Sequence, residues 1–185
     1  LFRALPRPLR IDLWADLLAT IDVALRDRPD VIHLCNAGLG PWIPALQAAL
    51  PCVVTANIHG NDLLAPWVNH GGMDDYAAAQ RAGLSAADAV VCVSRFSRAQ
   101  ALARGVDPRV LHVVENGIDP ARFSPGPRDP ELAAQLGLRA EDEVVLTVSR
   151  LAPRKGHRTM LRAIALLAGT RPRLRYVFTG ADERM

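Results

Sequence analysis

The sequence predicts an α/β protein with parallel sheets, arranged as two domains. Three observations lead there. Short apolar runs of strand length alternate with segments whose apolar residues recur at helical spacing. Those runs are apolar without alternation, which reads as strands buried on both faces, as in a parallel sheet. A proline-rich break then divides the series into a longer first part and a shorter second one.

Taken in order, Trp14, Leu17, Leu18, Ile21 and Leu25 predict an amphipathic helix over 12–27, which Pro29 ends. A strand is expected over 30–35. Pro41 and Trp42 open a second helix that runs to Leu50, and Pro51 stops it before a strand over 52–56. Residues 57–72 hold two Asn-containing turns and Gly71-Gly72, so they read as a loop. The alanine-rich stretch 73–86 is helical, and 89–93 is a strand. Ser97 with Gln100 predicts a capping box for a helix that ends at Gly105, and a strand follows over 110–114. Residues 116–130 contain four prolines and two glycines, a composition that builds neither a helix nor a central strand. Beyond it come a short helix over 131–136, a strand over 143–149, a helix over 157–168 with Met160, Leu161, Ile164, Leu167 and Ala168 on one face, and a strand over 174–179. The expected domains are therefore 1–118 and 131–185, joined by a hinge over 119–130.

Composition narrows the function classes. At 185 residues the chain can bury roughly 70% of its unfolded surface. Hydrophobic residues make up 50% and charged residues 22%, both globular values. No apolar run approaches the ~20 residues that span a bilayer, and Leu1 to Arg10 has no signal-peptide core. The net charge of +3 is spread along the chain, and aromatics are only 5%, which argues against a nucleic-acid binder. Cys35, Cys52 and Cys92 lie in or beside strand-like runs, without a CxxC. They read as reduced, buried cysteines of a cytosolic protein rather than zinc ligands. The chain starts at Leu1 rather than Met, and Met185 follows closely on a strand-like run. Both ends read as cut, so an internal piece of a longer protein is expected.

Ligands of open α/β sheets bind beyond the carboxyl ends of the strands. That rule singles out the loops 36–41, 57–62, 94–97 and 149–156. The last contains Lys155, the only lysine among 22 basic residues. Arginine is a planar fork, whereas lysine is a compact point charge suited to a phosphate oxygen. Arg150 ends a strand, Lys155 precedes a helix start at Gly156, and a helix N-terminus favours anions. Together they fit a diphosphate clamp; the plainer reading is a solvated strand–helix turn. In 57–62, His59 leaves a buried strand beside Gly60. It suits proton transfer or sugar hydroxyls, or else it is a polar loop residue next to Asp62 as a helix cap. Asn116-Gly117 predicts a tight turn with φ > 0, either functional or simply steering the chain into the hinge. His33 and His112 sit inside apolar strands and read as core or edge residues. His70 and His157 show no partner pattern. Gly38-x-Gly40 lacks a third glycine in register, and no GxSxG nucleophile elbow exists.

These pieces in this order resemble the retaining glycosyltransferases of family 4, whose GT-B fold has two Rossmann-like parallel-sheet domains. The residues that carry the resemblance are Asp30-Val31-Ile32-His33, Thr55 to Asp62, Ala87 to Ser94, Asn116-Gly117-Ile118-Asp119 with Phe123-x-Pro125, and Val148-Ser149-Arg150-Leu151 with Lys155-Gly156. The resemblance implies transfer of a hexose from a nucleotide-diphosphate sugar to an acceptor hydroxyl, with retained anomeric configuration. It implies that Arg150 and Lys155 hold the donor diphosphate, that His59 is catalytic near the transferred sugar, and that Gly60 and Asp62 belong to the acceptor-side loop. It places Asn116 and Gly117 at the cleft between domains, gives 1–118 to the acceptor and 131–185 to the nucleotide sugar, and implies neither metal nor cofactor. The implied partners are the nucleotide-sugar donor and a sugar, lipid or small-molecule acceptor. The implied location is cytoplasmic, at the inner membrane face where the acceptor is a lipid.

Some family features are missing or altered. The glycine-rich loop after the first strand is expected upstream of residue 1, and the paired glutamates that contact the donor beyond residue 185. Val114-Glu115 replaces the usual apolar residue and Pro, and Gly180-Ala181-Asp182 replaces Gly-x-Gly. Both domains are therefore expected to be incomplete, and these residues alone to be inactive. The alternatives are a non-catalytic nucleotide-sugar-binding module and a nucleotide-sugar epimerase on the same fold.

Overall fold

In the computed structural model of the protein, the described residues are 7–64 and 73–181. They form two compact units that divide between Ile118 and Asp119.

The first unit opens with helix α1 (Arg7–Asp27), five residues longer at its start than the apolar spacing predicts. Arg28 ends it with φ 48° just before Pro29. Strand β1 (Val31–Leu34) follows, then a 3-10 turn over Ala37–Trp42 that runs into helix α2 (Ile43–Ala49). The expected helix start at Pro41 is thus a 3-10 segment, whose Asn36 side chain caps Gly38 N at 2.7 Å. Strand β2 (Val53–Ile58) extends two residues past the expected end, into the Asn57-Ile58 pair. Short helix α3 (Asn61–Leu64) begins the segment read as a loop, and Gly71-Gly72 lie outside the described residues. Helix α4 (Met73–Ala86), strand β3 (Ala89–Cys92), helix α5 (Arg95–Ala103) and strand β4 (Leu111–Val113) complete the unit. The capping box exists one helical turn earlier than expected, because Ser94, still extended at φ −162°, pairs reciprocally with Ser97.

All four strands are parallel, in the order β1-β2-β3-β4. The register pairs Val31 with Val53, Thr55 with Ala89 and Val90 with Leu111. Successive right-handed crossovers that always step the same way lay their helices on one face. The core is accordingly one-sided: Leu34, Val54, Ala56, Ile58, Val90, Cys92 and Leu111 from the strands meet Leu46, Leu84 and Ala101 from α2, α4 and α5. Alternate residues of the strands fall on the other face. There Val31, His33 and Val53 are exposed, and Thr55, Asn57 and Val91 are half-buried. The expectation of burial on both faces is corrected for the described residues. Of the core or edge positions read for His33 and His112, the edge holds: both are exposed on the outer strands β1 and β4 of the described sheet, and His33 Nδ1 lies 2.7 Å from Thr55 Oγ1. Asp88 anchors the start of β2 by accepting from Val54 N at 2.8 Å.

The cysteines divide the same way. Cys92 is buried, Cys52 half-buried and Cys35 exposed at the end of β1, so burial does not extend to all three. Burial pushes the Cys92 thiol up from its ordinary value, against the lowering pull of the nearby Arg98 charge.

In the second unit, helix α6 (Pro130–Gln135) is capped by Asp129, which accepts from the N–H groups of Glu131 and Leu132. Strand β5 (Glu143–Val148), helix α7 (His157–Leu167) and strand β6 (Leu174–Thr179) form one parallel βαβ unit, with Val144 beside Arg175 and Val148 beside Thr179. Its buried side chains among the described residues are Asp142 and Ala152. Asp142 receives Arg139 N at 2.8 Å and pairs with Arg175 at 3.2 Å, while Arg128 donates to the carbonyls of Arg139 and Asp142.

Two outcomes are expected. A methyl group at Gly83 would lie 1.9 Å from Gly40 O, inside the contact of α4 with the 3-10 turn, so something must shift. Gly83→Ala therefore destabilises the first unit by about 1–3 kcal/mol or more, read by urea denaturation with tryptophan fluorescence. All three tryptophans, Trp14, Trp42 and Trp67, precede residue 118. An unchanged midpoint would show that the helix can slide without cost. Iodoacetamide should modify Cys35 in the folded protein and Cys92 only after unfolding, followed by mass spectrometry; equal rates in the folded protein would refute the burial order.

Candidate functional site

Because the four strands of the first unit are parallel, the loops that leave β1, β2, β3 and β4 emerge on one edge. The candidates of this unit all lie there. His59 directly follows β2 and is exposed, and its ring has no hydrogen-bond partner among the described residues. Gly60 has φ +112°, a conformation that favours glycine, and it lets the chain turn at once into α3. Leu63 N donates to Gly60 O at 3.1 Å and closes the turn.

Asp62 holds this edge together. Its carboxylate accepts from His59 N at 3.0 Å and from Ala37 N at 2.9 Å. One oxygen pair thus joins the loop after β2 to the loop after β1. Sequence reading expected Asp62 in an acceptor-side loop; its position is fixed by main-chain donors that it satisfies. Three residues of α4 that sequence reading passed over brace the same place. Gln80 is buried and donates to Ala37 O and to Asp62 O, each at 3.0 Å. Tyr76 donates from its hydroxyl to Gly38 O. Gly83 allows the main chain of the 3-10 turn to rest on the helix. The signal was present: Tyr76, Gln80, Gly83 and Leu84 recur at i, i+4, i+7 and i+8 in an otherwise alanine-rich helix. Two residues before His59, the Oδ1 of Asn57 is a buried acceptor without a partner among the described residues.

Asn116 and Gly117 leave the same edge two strands further along, beyond β4, and are exposed. The expected tight turn with φ > 0 is absent, since Gly117 is not among the glycines of positive φ. The turn forms three residues later, where Asp119 Oδ1 accepts from Ala121 N at 3.0 Å and Phe123 N donates to Asp119 O. The aspartate closes an Asx turn, and that satisfies the chain's reversal without any residue in the left-handed region.

In the second unit the loop between β5 and α7 carries Arg150 and Lys155. Ser149 N donates to Thr179 O at 3.0 Å and Leu151 N to Ala181 O at 2.9 Å, so the loop leaves along the end of β6. Gly180 makes that approach possible: a methyl group there would lie 1.9 Å from Ser149 O. Pro153–Lys155 form a 3-10 turn, and Gly156, at φ 75°, starts α7. Ala152 is the buried pin of the loop, while Arg150, Arg154 and Lys155 are exposed. The Lys155 ammonium makes no ion pair among the described residues. No side chain caps α7, so the N–H groups of its first turn have no side-chain acceptor. The loop thus carries an ammonium, a guanidinium and a helix start without a side-chain cap, and charges of that sign favour an anion by general electrostatics. His157, for which the sequence shows no partner pattern, is half-buried at the first helical position. Its ring stands 3.1 Å from Arg150 O, 3.2 Å from Ser149 Oγ and 3.3 Å from the Tyr176 hydroxyl. Among the described residues no three His, Cys, Asp or Glu side chains gather as metal ligands. No helix among them is long and apolar enough to cross a membrane.

Residues 1–122 match the profile of Glycosyltransferase Family 4, and the chain belongs to that family. The parallel α/β units are of the GT-B type. Among curated relatives, the alpha-maltose-1-phosphate synthase of Mycolicibacterium smegmatis is 34% identical over 132 residues, which is 67% of this chain and 33% of the relative. The D-inositol 3-phosphate glycosyltransferase of Kineococcus radiotolerans is 39% identical over 83 residues, 43% of this chain and 19% of the relative. In fold, the chain is similar to Anabaena HepE in complex with UDP and glucose, at a TM-score of 0.72 and 22% identity, covering 90% of this chain and 43% of that one. The chain thus spans a third or less of the length of these two curated relatives.

The geometry of Asp62 gives a direct expectation. Asp62→Ala strands the N–H groups of Ala37 and His59 and lowers the stability of the first unit by about 1–3 kcal/mol. Asp62→Asn, which keeps one acceptor oxygen, costs less. Urea denaturation of both variants measures this, and no loss in Asp62→Ala would show that these hydrogen bonds do not hold the edge.

Proposed function

We propose that the protein acts in the transfer of a hexose from a nucleotide-diphosphate sugar to an acceptor hydroxyl, with retained anomeric configuration. The observation that carries this reading is the β5–α7 loop. The one lysine of the chain stands there without an ion pair among the described residues, in the same loop as Arg150 and at an uncapped helix start, in a member of a glycosyltransferase family.

In this reading Arg150 and Lys155 hold the donor diphosphate. A diphosphate gains negative charge as the bond to the sugar breaks, so cations already in place favour the transition state over the ground state. Each charge-assisted hydrogen bond is worth about 1.5–3 kcal/mol. The two cations take the part a metal ion would otherwise play, so neither metal nor cofactor is required. His59 faces the transferred sugar, where an unengaged imidazole can hydrogen-bond a hydroxyl or move a proton. Its main chain is held by Asp62, so Asp62 and Gly60 fix where the ring stands. Asn116 and Gly117 contribute an exposed, unhindered main chain at the same edge of the first unit. The acceptor is a sugar, a lipid or another small hydroxyl compound, and the work is done in the cytoplasm, at the membrane face if the acceptor is a lipid. HepE was captured with UDP and glucose, and a uridine diphosphate sugar is the first donor to test.

Calorimetric titration of the full-length protein with UDP, GDP, ADP and their hexose conjugates tests the reading. One nucleotide diphosphate should bind, and Lys155→Ala should weaken it by ten-fold or more, about 1.4 kcal/mol. No binding by the folded protein would remove the transferase reading. Binding without transfer to any acceptor would leave a nucleotide-sugar-binding module, and conversion of the sugar without an acceptor would leave an epimerase. The 185 residues alone should show little or no turnover; measurable transfer by them would refute the expectation that part of the donor site is supplied from elsewhere.

A further inference from the structure

We infer that His157 is a positioning residue for Arg150, locking the main chain of the β5–α7 loop so that the guanidinium is presented to the donor diphosphate. The inference rests on the diphosphate-binding reading above and adds to it a residue outside the clamp itself.

The argument begins with the ring's neighbours. A carbonyl oxygen only accepts, so the Nε2 that faces Arg150 O at 3.1 Å carries the hydrogen and donates to it. Ser149 Oγ lies 3.2 Å from the same nitrogen. The opposite edge of the ring, at Nδ1, meets the Tyr176 hydroxyl at 3.3 Å, and that hydroxyl reaches Thr147 Oγ1 at 3.1 Å. The Phe178 ring packs against the imidazole with centroids 5.7 Å apart. The ring is therefore fixed on three sides by groups from β6 and from the loop that leaves β5, and it spends its one directed bond on the residue that carries the guanidinium.

The consequence is mechanical. Arg150 sits where the chain leaves β5, with its side chain exposed. Its peptide is held on one side by the close approach of Gly180 to Ser149 O and on the other by Ala152 N, which donates to Arg150 O at 2.9 Å. The histidine bond ties the same carbonyl to the first residue of α7, whose N-terminus is the other half of the anion site. Strand end and helix start are thereby held in one register before any ligand arrives. Preorganisation of this kind lowers the ordering cost of binding, because less freedom remains to be lost. A polar ring half-buried behind a phosphate loop is better explained so than by surface solubility.

The test is calorimetric titration of the full-length protein with whichever of UDP, GDP and ADP binds. His157→Phe keeps a flat ring against Phe178 and removes the donor to Arg150 O. It should weaken binding by about five-fold or more, while the thermal midpoint changes little. His157→Gln, which can again donate an N–H, should recover most of the loss. In an Arg150→Ala background the His157→Phe effect should shrink towards nothing, because the two act through one contact. Should His157→Phe fail to fold, Tyr176→Phe, which frees the far edge of the ring, should show a smaller loss in the same direction. Unchanged affinity in His157→Phe (or in Tyr176→Phe where that stands in for it), or a loss that persists in full without Arg150, would overturn the inference. If Lys155→Ala weakens binding while His157→Phe does not, the donor-site reading stands and this one falls. If nothing binds the unaltered folded protein, both fall.

Discussion

At Gly83 and Gly180 main chain rests directly on main chain, and the loops that carry the candidate residues depend on those contacts. Gly83 on α4 lies against the carbonyl of Gly40, and Gly180 after β6 lies against that of Ser149; in each case a single methyl group would come within 1.9 Å of the oxygen. Side chains cannot mediate an approach that close, so the position of each loop is fixed by backbone geometry rather than by rotamers. Interiors tolerate changes in side-chain shape far better than displacement of a backbone. The first contact seats the 3-10 turn after β1, from which Ala37 offers its N–H to Asp62. The second seats Ser149, from which Arg150 leaves the sheet.

Polar hubs then finish what the close approaches begin. Asp62 and Gln80 draw the loops after β1 and β2 together, and His157 ties the end of β5 to the start of α7. Each hub is a side chain that satisfies main-chain groups, where an unmade bond is more costly than a made one is favourable. The side chains of His59 and Lys155, which face solvent, can then be polar and accessible without themselves bearing the structure. This division of labour, exposed chemistry on loops held by a rigid layer behind them, is what α/β sheets offer at the carboxyl ends of their strands.

The use of arginine elsewhere sharpens the meaning of Lys155. Ion pairs in the structure are made by arginine: Arg109 with Asp107, Arg171 with Glu143 and Arg175 with Asp142. Asp107 is held below its ordinary carboxylate range by the Arg109 guanidinium hydrogen-bonded to it. A planar fork suits such pairing, while a compact ammonium left unengaged at a helix start suits a phosphate oxygen.

Much of the fold was legible in the sequence, because local signals carried it. Six strands, the long helices and the irregular stretch after β4 follow from apolar runs, helical periodicity and the clustering of proline, all of which act over a few residues. That the chain leaves a strand just before Gly60 and again before Lys155 was legible too, since a strand end next to a glycine or a polar turn is a local pattern. What the sequence did not carry was decided by contacts between distant segments. The burial of one sheet face rather than two follows from the order of the strands, and strand order is not written in any one strand. The turn near Asn116-Gly117 moved to Asp119 because an aspartate cap competed with a glycine turn. Asp62 reaches Ala37 across 25 positions, Gln80 reaches it across 43, and His157 meets Tyr176 across 19. A residue's type determines which bonds it can make; only the folded chain brings the partner within 3 Å or so.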